Sequence, residues 1–235
     1  MDARYALRKA QLLEECQVAP EVCAQVMPRL HTFMGPFIDT LPGHAPRAHA
    51  QTYVQGLLSD VERKNVESIA YHFGHERLGL QGFIGWGDWD DAPLRQVLLH
   101  QVGQQLGQAD GVLVFDPSAF PKSGHESVGV ARQWCGRLGK VDNCQVAIYL
   151  GYVSRKGHTL VALRLSLPKA WTQEKARLAQ AGVPRACRGS RTRHQLALEM
   201  LAAHGAAVPH RWMTGDEEMG RPAWLRRRLA AVSEP

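Results

Sequence analysis

The hydrophobic pattern of the chain changes at Asp110, and this change decides which structures each part of the chain can form. Before it, apolar residues recur with the period of an α-helix, as in the series Leu94, Leu98, Val102 and Leu106. After it, Gly111–Phe115 is a continuous apolar run followed by Asp116-Pro117, which is typical of a buried strand that ends at proline. The sequence therefore predicts a helical module over residues 1–108 and a sheet-containing domain over residues 109–235.

The first 108 residues predict helices joined by short connections. Pro20 suits the first turn of a helix that continues to about Phe33, after an earlier helix over Asp2–Glu15. Ser59–Glu62 has the pattern of a capping box, which predicts that another helix begins there. Glycine and proline mark the predicted connections, which are Gly35–Pro46 and Gly74–Asp91. This module is expected to be all-helical.

The second part of the chain predicts strands together with helices. Two β-rich runs joined by Ser154–Gly157 predict an antiparallel hairpin. An amphipathic run that stops at Gly205 predicts a helix with a glycine C-cap. In chain order the predicted elements are a strand, the hairpin, a helix, a strand and a helix, at Gly111–Phe115, Cys144–Leu167, Thr192–His204, Pro209–Gly215 and Pro222–Ala231. This order predicts an α/β (α+β) fold.

Positive charge is concentrated after Asp110. Residues 111–235 carry 19 Lys and Arg against 9 Asp and Glu, whereas residues 1–110 carry 9 against 13. A region this basic favours a polyanionic partner, with nucleic acid as the leading candidate. The alternative is an ordinary basic surface, and the run Arg226–Arg228 fits either interpretation.

Composition excludes several other classes of protein. A hydrophobic fraction of 45% and a charged fraction of 21% are typical of a globular chain and not of a disordered or coiled-coil one. The apolar runs are too short to cross a bilayer, and the N-terminus has no apolar segment of a signal peptide. The five cysteines form no CxxC pair, and Cys135 and Cys144 are expected to be small core residues. We expect a cytoplasmic protein with reduced thiols and no membrane partner.

Two aspartates follow predicted strands and are the candidate catalytic residues. Asp116 follows the buried strand, and Asp216 follows the strand at Pro209–Gly215. If these strands are neighbours in a sheet, both carboxylates meet at one edge, where they suit Mg²⁺ or Mn²⁺. Two such ions about 3.5–4 Å apart can activate water and stabilise the leaving oxygen of a phosphodiester. The alternative for each aspartate is structural, as a turn former or a helix cap.

Several motifs, taken together, resemble one family. The second part of the chain contains GVLVFDPSAFPKSG at residues 111–124, SVGVARQWCGRLGKVDNCQV at 127–146, GYVSRKGHTLV at 151–161 and RWMTGDEEMG at 211–220. In order and spacing these motifs, with YVQGLLSDVERKNVESIA at 53–70, look like the DDE-type transposases of bacterial insertion sequences, in the branch with the RQWCG and NCQV signature. The resemblance covers roughly residues 45–220, and several long motifs in the correct order are far more specific than one short pattern.

The resemblance implies a fold, an activity and a partner. The fold is a helical N-terminal module followed by an RNase H-like core, in which a mixed sheet has its first three strands antiparallel. The family's catalytic aspartates end the first and fourth strands, which correspond to Asp116 and Asp216 and would bind Mg²⁺ or Mn²⁺. The implied activity is metal-dependent cleavage and joining of DNA at transposon ends. A non-catalytic DNA-binding fragment or regulator derived from a transposase is the alternative.

The chain departs from the family pattern at the third catalytic carboxylate. In the family this Glu lies on a helix well after the second aspartate, whereas this chain ends at Pro235, nineteen residues after Asp216. Glu217 and Glu218 are poor substitutes, because the first would point to the opposite face of an extended strand and the second would begin the final helix. We therefore expect a truncated copy with an incomplete core, which forms a homo-oligomer through the exposed edge of the strand at Arg211–Gly215.

Basic residues between the first strand and the hairpin are the candidate DNA contacts. Arg132, Arg137 and Lys140 surround Trp134 in the sequence. Lys122 lies six residues after Asp116 and has two interpretations, as a contact to the scissile phosphate or as a solvated loop lysine. Trp134 has two interpretations, as a base contact or as a core residue surrounded by solvated charge, and the core position is favoured.

Overall fold

The computed structural model describes residues 24–232 together with Leu7. Apart from Leu7, the helix expected over Asp2–Glu15 lies outside the described residues, as does the start of the helix expected from Pro20. The chain divides into two compact units, Met1–Leu94 and Arg95–Pro235. Within the described part, no helix combines the length and the apolar character needed to span a bilayer.

The first unit is built from helices around a small apolar core. Ile69 and Ala70 are fully buried in this core, and Leu41, Leu80 and Phe83 belong to the same cluster. The described residues of this unit contain no strand, in agreement with the helical periodicity. Its helices are α1 (Val26–Asp39), α2 (His44–Leu58), α3 (Val66–His72), α4 (Arg77–Gly85) and the first residues of α5 (Ala92–Gln105).

Both connections predicted in this unit are wrong, because helices extend into them. α1 continues through Pro36 to Asp39, so that only residues 40–43 separate it from α2. α4 lies inside the segment Gly74–Asp91 that the sequence predicts as a connector. Glycine and proline disfavour a helix by only a few kcal/mol at most, about 1 and 3 respectively, and tertiary packing overrides that preference here.

The capping box predicted at Ser59–Glu62 is also wrong. Ser59 ends α2 instead, and its hydroxyl donates a hydrogen bond to the Gly56 carbonyl at 2.9 Å. The next helix, α3, is capped by Asn65, whose Oδ1 accepts a hydrogen bond from the Ser68 amide at 2.8 Å. A serine hydroxyl can bond backbone groups at either end of a helix, so the motif did not show that Ser59 ends α2 and does not begin α3.

The second unit forms a mixed sheet. β1 (Val112–Pro121), β3 (Lys140–Ser154) and β4 (Gly157–Ser166) pair antiparallel in the order β4–β3–β1, and β5 (Trp212–Gly215) pairs parallel to β1. The hairpin predicted around Ser154–Gly157 is formed by β3 and β4. The short strand β2 (Ala131–Cys135) pairs with the first residues of β3, and no sequence pattern indicated it. The predicted α/β fold is confirmed, with a mixed sheet as expected of an RNase H-like core.

β1 is longer than the sequence predicts. The strand was expected to stop at Asp116-Pro117, but it continues in an extended conformation to Pro121, which lies opposite Cys144 of β3. Asp116 is therefore a residue within the strand, and it lies opposite Tyr149. The alternative reading of Asp116 as a turn former is wrong for this reason.

Proline is tolerated in β1 because its missing amide falls at a free edge. The Gly111 carbonyl accepts a hydrogen bond of 2.9 Å from the Arg211 amide just before β5, and backbone groups of alternate residues point to the same side of a strand. Residue 117 therefore directs its backbone toward the β5 side. β5 has already ended at Gly215, opposite Phe115, so no ladder hydrogen bond is lost at Pro117.

The two faces of the sheet have different surroundings. On one face, Leu113, Phe115 and Leu150 belong to a buried cluster with residues of α8 (Arg193–His204) and α10 (Ala223–Val232). On the other face, Asp116, Tyr149 and Leu163 are directly opposite one another across β1, β3 and β4, and we call this the Asp116 face. This unit also contains residues 95–105 of α5 and three short helices, α6 (Lys169–Thr172), α7 (Lys175–Gln180) and α9 (Glu217–Gly220).

Candidate active site

The two candidate aspartates occupy matching positions on neighbouring parallel strands. Phe115 of β1 lies opposite Gly215 of β5 at the last parallel pair, so that Asp116 is the next residue of β1 and Asp216 is the first residue after β5. Paired strands lie about 4.8 Å apart, so this register brings the two residues to the same edge of the sheet. The strand pairing that the sequence argument required, between the first strand and the strand before Asp216, is present.

The charges of the two carboxylates interact. Burial, and then the negative charge of Asp216, raise the pKa of Asp116 above its ordinary value. The side chain of Asp116 is exposed, so its removal from water is only partial. A cation bound between the two carboxylates would offset their mutual repulsion, which is the smaller of the two causes of the raised pKa.

Asp216 is also the N-cap of α9. Its Oδ1 accepts a hydrogen bond from the Met219 amide at 2.8 Å, and its carbonyl accepts one from the Gly220 amide at 2.9 Å. The structural alternative for Asp216, a helix cap, is therefore correct as a description of its position. The cap uses Oδ1 and not Oδ2, so capping and metal binding are compatible in the same side chain.

The neighbouring glutamates are engaged with arginines. Glu217 pairs with Arg221 at 2.7 Å and is 85% exposed, whereas Glu218 pairs with Arg193 at 2.6 Å. Glu217 is the first residue of α9 and does not continue an extended strand, so the reason predicted for excluding it is wrong, whereas Glu218 lies in a helix as expected. That both are poor substitutes for the third carboxylate stays a prediction. Across the described residues, no group of three or more His, Cys, Asp or Glu side chains could hold a metal ion.

Two carboxylates alone fit one class of metal site. Mg²⁺ is commonly held in proteins by one or two carboxylates, with water and substrate phosphates as the other ligands. Carboxylate oxygens also suit Mn²⁺. The pair of Asp116 and Asp216 matches such a donor set, and a bound phosphodiester would supply further oxygen ligands.

Lys122 follows the end of β1, far from Asp116 and from a phosphate bound there. Because β1 stays extended beyond Asp116, six residues correspond to about 20 Å between the two backbones. The segment after β1 is also fixed at this distance: the Lys122 amide donates to the Asn143 carbonyl at 2.9 Å, and the Asn143 side chain donates back to the Lys122 carbonyl at 2.7 Å. A contact of Lys122 with a phosphate bound at Asp116 is therefore disfavoured by the length of β1, and its role in DNA binding stays a prediction.

Trp134 is on the surface, so its predicted place in the core is wrong. Its side chain is 56% exposed, and it lies opposite Val141 in the β2–β3 pairing. The physical reason is strand alternation: Cys135, the next residue, points inward and is fully buried together with Cys144. Burial, and then the proximity of Cys135, raise the pKa of the Cys144 thiol. Both cysteines are small core residues, as expected.

The polar residues of the RQWCG and NCQV motifs hold the segment between β1 and β2. Gln145 donates to the Val128 carbonyl at 2.6 Å, and Gln133 donates to the Cys144 carbonyl at 2.8 Å. The Asn143 side chain donates to the Gly124 carbonyl at 2.8 Å, and the Trp171 indole donates to the Val130 carbonyl, also at 2.8 Å. The motif residues therefore build the framework of this region.

Tyr149 is the residue at the candidate site that sequence reasoning missed. It lies directly opposite Asp116, so the two side chains share one face of the sheet. Burial raises the pKa of the Tyr149 hydroxyl. Only the register of β1 against β3 reveals this position, because no spacing rule relates residues 116 and 149.

Comparison with known proteins gives one family. The family model described as DDE superfamily endonuclease matches residues 36–234. A probable transposase for insertion sequence element IS701 from Microchaete diplosiphon is 35% identical over 94 residues. The matched segment covers 40% of this chain and spans about a quarter (25%) of that relative. No solved structure matches the chain significantly.

Proposed function

The chain belongs to the DDE superfamily of endonucleases, and we propose that it acts as a DDE-type transposase on DNA at the ends of an insertion sequence. The observation that carries this proposal is the β1–β5 register, which supports Asp116 and Asp216 as neighbouring carboxylates at one sheet edge. The likeness to the probable IS701 transposase supports it independently.

The proposed chemistry is hydrolysis of a phosphodiester followed by transfer of the freed end. Water attacks phosphorus in line, the bond from phosphorus to the 3′ oxygen breaks, and that oxygen takes up a proton. The 3′-hydroxyl then attacks a phosphodiester of target DNA and displaces a new 3′ oxygen. Mg²⁺ or Mn²⁺ bound at the site would neutralise phosphate charge and lower the pKa of the attacking water.

The roles of the two aspartates follow from their positions. Asp116 would bind the metal from within β1, where burial and then the charge of Asp216 raise its pKa. Asp216 would bind through Oδ2, since Oδ1 caps α9. Holding the carboxylates on paired strands keeps the phosphate and the nucleophile in a fixed orientation.

The proposed DNA contacts lie away from the carboxylate pair. Lys122, Arg132, Arg137 and Lys140 are all exposed. Their backbone positions begin about 20 Å from Asp116 along β1 and β3. We therefore assign them to phosphates further along the DNA, where they would position the substrate.

A non-catalytic DNA-binding protein is the second candidate function. It is favoured because, in the described part of the chain, Asp116 and Asp216 belong to no group of three or more His, Cys, Asp or Glu side chains that could hold a metal ion. Such a protein would occupy transposon ends without cutting them.

A DNA cleavage assay separates the two candidates. The chain is incubated with DNA that carries the ends of its element and Mn²⁺, in parallel with the Asp116→Asn and Asp216→Asn variants. The control is Asp88→Asn, which removes an exposed carboxylate of the first unit. Cleavage by the wild type and by Asp88→Asn, but by neither site variant, supports the transposase. Retention of DNA by all four proteins without cleavage supports the binding protein.

We also propose that the chain forms a homo-oligomer through β5. Among the described residues, β5 pairs with β1 alone, and Trp212 at its start is 57% exposed. An uncovered edge strand can pair with a strand of a second chain. A single monomeric species in light scattering at micromolar protein concentration would count against this.

A further inference from the structure

We propose that Trp134 of the β2–β3 hairpin stacks on an unpaired base of the DNA, about eight nucleotides from the phosphate held at Asp116. This hairpin consists of β2, the turn at Gly136–Gly139 and the start of β3. The inference rests on the proposed function, since it assigns the bound strand a path along the Asp116 face.

The hairpin exposes a set of apolar side chains together. Trp134 is 56% exposed, Leu138 44% and Val141 51%. Trp134 and Val141 are directly opposite each other, so their side chains share one face of the hairpin. An exposed tryptophan with an apolar side chain beside it presents a flat surface on which an aromatic ring can stack.

The charge around this surface matches a nucleic acid strand. Arg132 shares the face of β2 that carries Trp134, and Arg137 lies in the turn of the hairpin, whereas Lys140 lies opposite Cys135 and so points to the other face. Lys140 pairs with Asp142 at 3.0 Å, but Arg132 and Arg137 make no ion pair with any described residue. An aromatic ring flanked by cations is the combination that binds single-stranded nucleic acid, since cations bind phosphates while the ring stacks on a base.

The register places this surface on the same face of the sheet as the carboxylate pair. Val141 and Tyr149 are both odd-numbered residues of the uninterrupted strand β3, so their side chains lie on one face. Tyr149 lies opposite Asp116, and Val141 lies opposite Trp134. Trp134 therefore belongs to the Asp116 face.

The distance along β3 gives the spacing on the DNA. Eight residues separate Val141 from Tyr149, which corresponds to about 26 Å of extended strand. One strand of a duplex advances about 3.4 Å along the helix axis per nucleotide, so a duplex lying parallel to β3 would span about eight nucleotides over this distance. A base inside a duplex has both faces covered by its neighbours, so the base that stacks on Trp134 must be unpaired.

The hairpin is held firmly enough to serve as a fixed contact. Cys135 and Cys144 are fully buried at its base. Gln133 donates to the Cys144 carbonyl at 2.8 Å, and Asn143 donates to the Gly124 carbonyl at the same distance. The strand positions next to Trp134 are therefore fixed: Cys135 is buried on the opposite face of the hairpin, and the Gln133 side chain binds the backbone of β3.

The test compares binding of the full chain to two synthetic DNAs, a blunt duplex and the same duplex with a single-stranded thymine tail. Fluorescence anisotropy is measured in buffer with EDTA and without Mg²⁺ or Mn²⁺, so that cleavage plays no part. Trp134→Ala is expected to weaken binding of the tailed DNA about tenfold and to leave the blunt duplex unchanged. Trp134→Phe, which keeps a ring, is expected to retain most of the affinity. The control Trp86→Ala removes a tryptophan that is 70% exposed in the first unit and is expected to change neither.

Three results would overturn the inference. One is an equal loss for both DNAs, which would assign Trp134 to general phosphate binding or to folding; circular dichroism of the variant separates these. Another is no loss for either. The third is a dimer of the wild type that Trp134→Ala dissociates, which would assign the surface to a second copy of the chain. Binding is measured without metal, so it does not depend on cleavage. The binding assay can therefore support the role of Trp134 when the cleavage assay contradicts the role of Asp116, and it can contradict the role of Trp134 when the cleavage assay supports that of Asp116.

A separate experiment measures the distance on the DNA between the cleaved phosphate and the base that stacks on Trp134. Photocrosslinking is carried out with 4-thiothymine placed at successive positions of the end-containing strand. The crosslink to the hairpin is expected about eight nucleotides from the cleaved phosphate, and Trp134→Ala is expected to reduce it there. A crosslink adjacent to the cleaved phosphate would contradict the proposed path.

Discussion

Asp216 combines two functions that substitution can separate. The capping hydrogen bond to Met219 needs an acceptor oxygen, which asparagine also supplies, whereas metal binding needs the carboxylate charge. We expect Asp216→Ala to lower the free energy of unfolding by about 1 kcal/mol and Asp216→Asn to leave it nearly unchanged. Urea unfolding measures this. DNA cleavage is expected to be lost in both variants, and cleavage retained by Asp216→Asn would remove Asp216 from the site.

Asp116 makes the stability of the protein depend on pH. Folding raises the pKa of this carboxyl, so the folded state binds its proton more tightly than the unfolded state does. Stability from this group is therefore present at acid pH and is lost as pH rises through the raised folded-state pKa. Without metal, Asp116→Asn is expected to raise the unfolding midpoint at neutral pH and to match the wild type well below pH 3.8, the ordinary value.

The control for this pH experiment is Asp88→Asn, which is expected to show no such trend. Added Mg²⁺ is expected to reverse the order of the two proteins at neutral pH, because the ion stabilises only the wild type. A wild type that stays less stable than Asp116→Asn at saturating Mg²⁺ would show that the carboxylate does not bind the ion.

At the residue scale, the sequence predicted that the two aspartates follow strands that pair in one sheet, but it did not predict their surroundings. The apolar run before Asp116 and the short strand before Asp216 were enough to identify both positions. The continuation of β1 past Pro117 was not predictable, because it depends on β5 ending one residue before Asp216. Tyr149 was equally hidden, since its place opposite Asp116 is a property of strand register.

At the element scale, the segment between β1 and β2 depends on a few side chains. Asn143 donates hydrogen bonds to the Lys122 and Gly124 carbonyls, at 2.7 and 2.8 Å. We expect Asn143→Ala to lower the free energy of unfolding by about 1–2 kcal/mol. We also expect faster hydrogen exchange of backbone amides over residues 122–128 in this variant.

The matched control for Asn143→Ala is Asn65→Ala, which removes the cap of α3 in the first unit. Its loss of stability is expected to be similar, about 1 kcal/mol, without any change of exchange at residues 122–128. Equal exchange of that segment in both variants would mean that Asn143 does not hold it.

Helices with a periodic apolar pattern could be predicted from the sequence, whereas helix ends that depend on a single hydrogen bond could not. α8 was identified from its apolar period, and its N-terminus carries a capping box formed by Thr192 and Gln195. The similar pattern at Ser59–Glu62 failed because the Ser59 hydroxyl bonds back to Gly56. Trp134 was wrongly predicted to be in the core because β2 was not recognised. Side chains alternate between the two faces of a strand, so without the strand the sequence does not show which side chains point outward.

At the scale of the whole molecule, charge and chemistry are concentrated in the same unit. The second unit contains the sheet, the two aspartates and the basic hairpin, and it lies within the basic part of the chain. The uneven charge was readable from composition, and it indicated a polyanionic partner without identifying it. The family membership came from the order of long motifs, which composition does not record.

The central claim is that Asp116 and Asp216 bind the same metal ion, and a Mn²⁺ titration tests it most directly. Calorimetry or electron paramagnetic resonance is used with the wild type, Asp116→Asn, Asp216→Asn and the double variant. If the carboxylates share the ion, each single substitution abolishes most of the binding and the double variant loses little more. Binding by either single variant that equals the wild type, or losses in the two variants that simply add, would contradict the account.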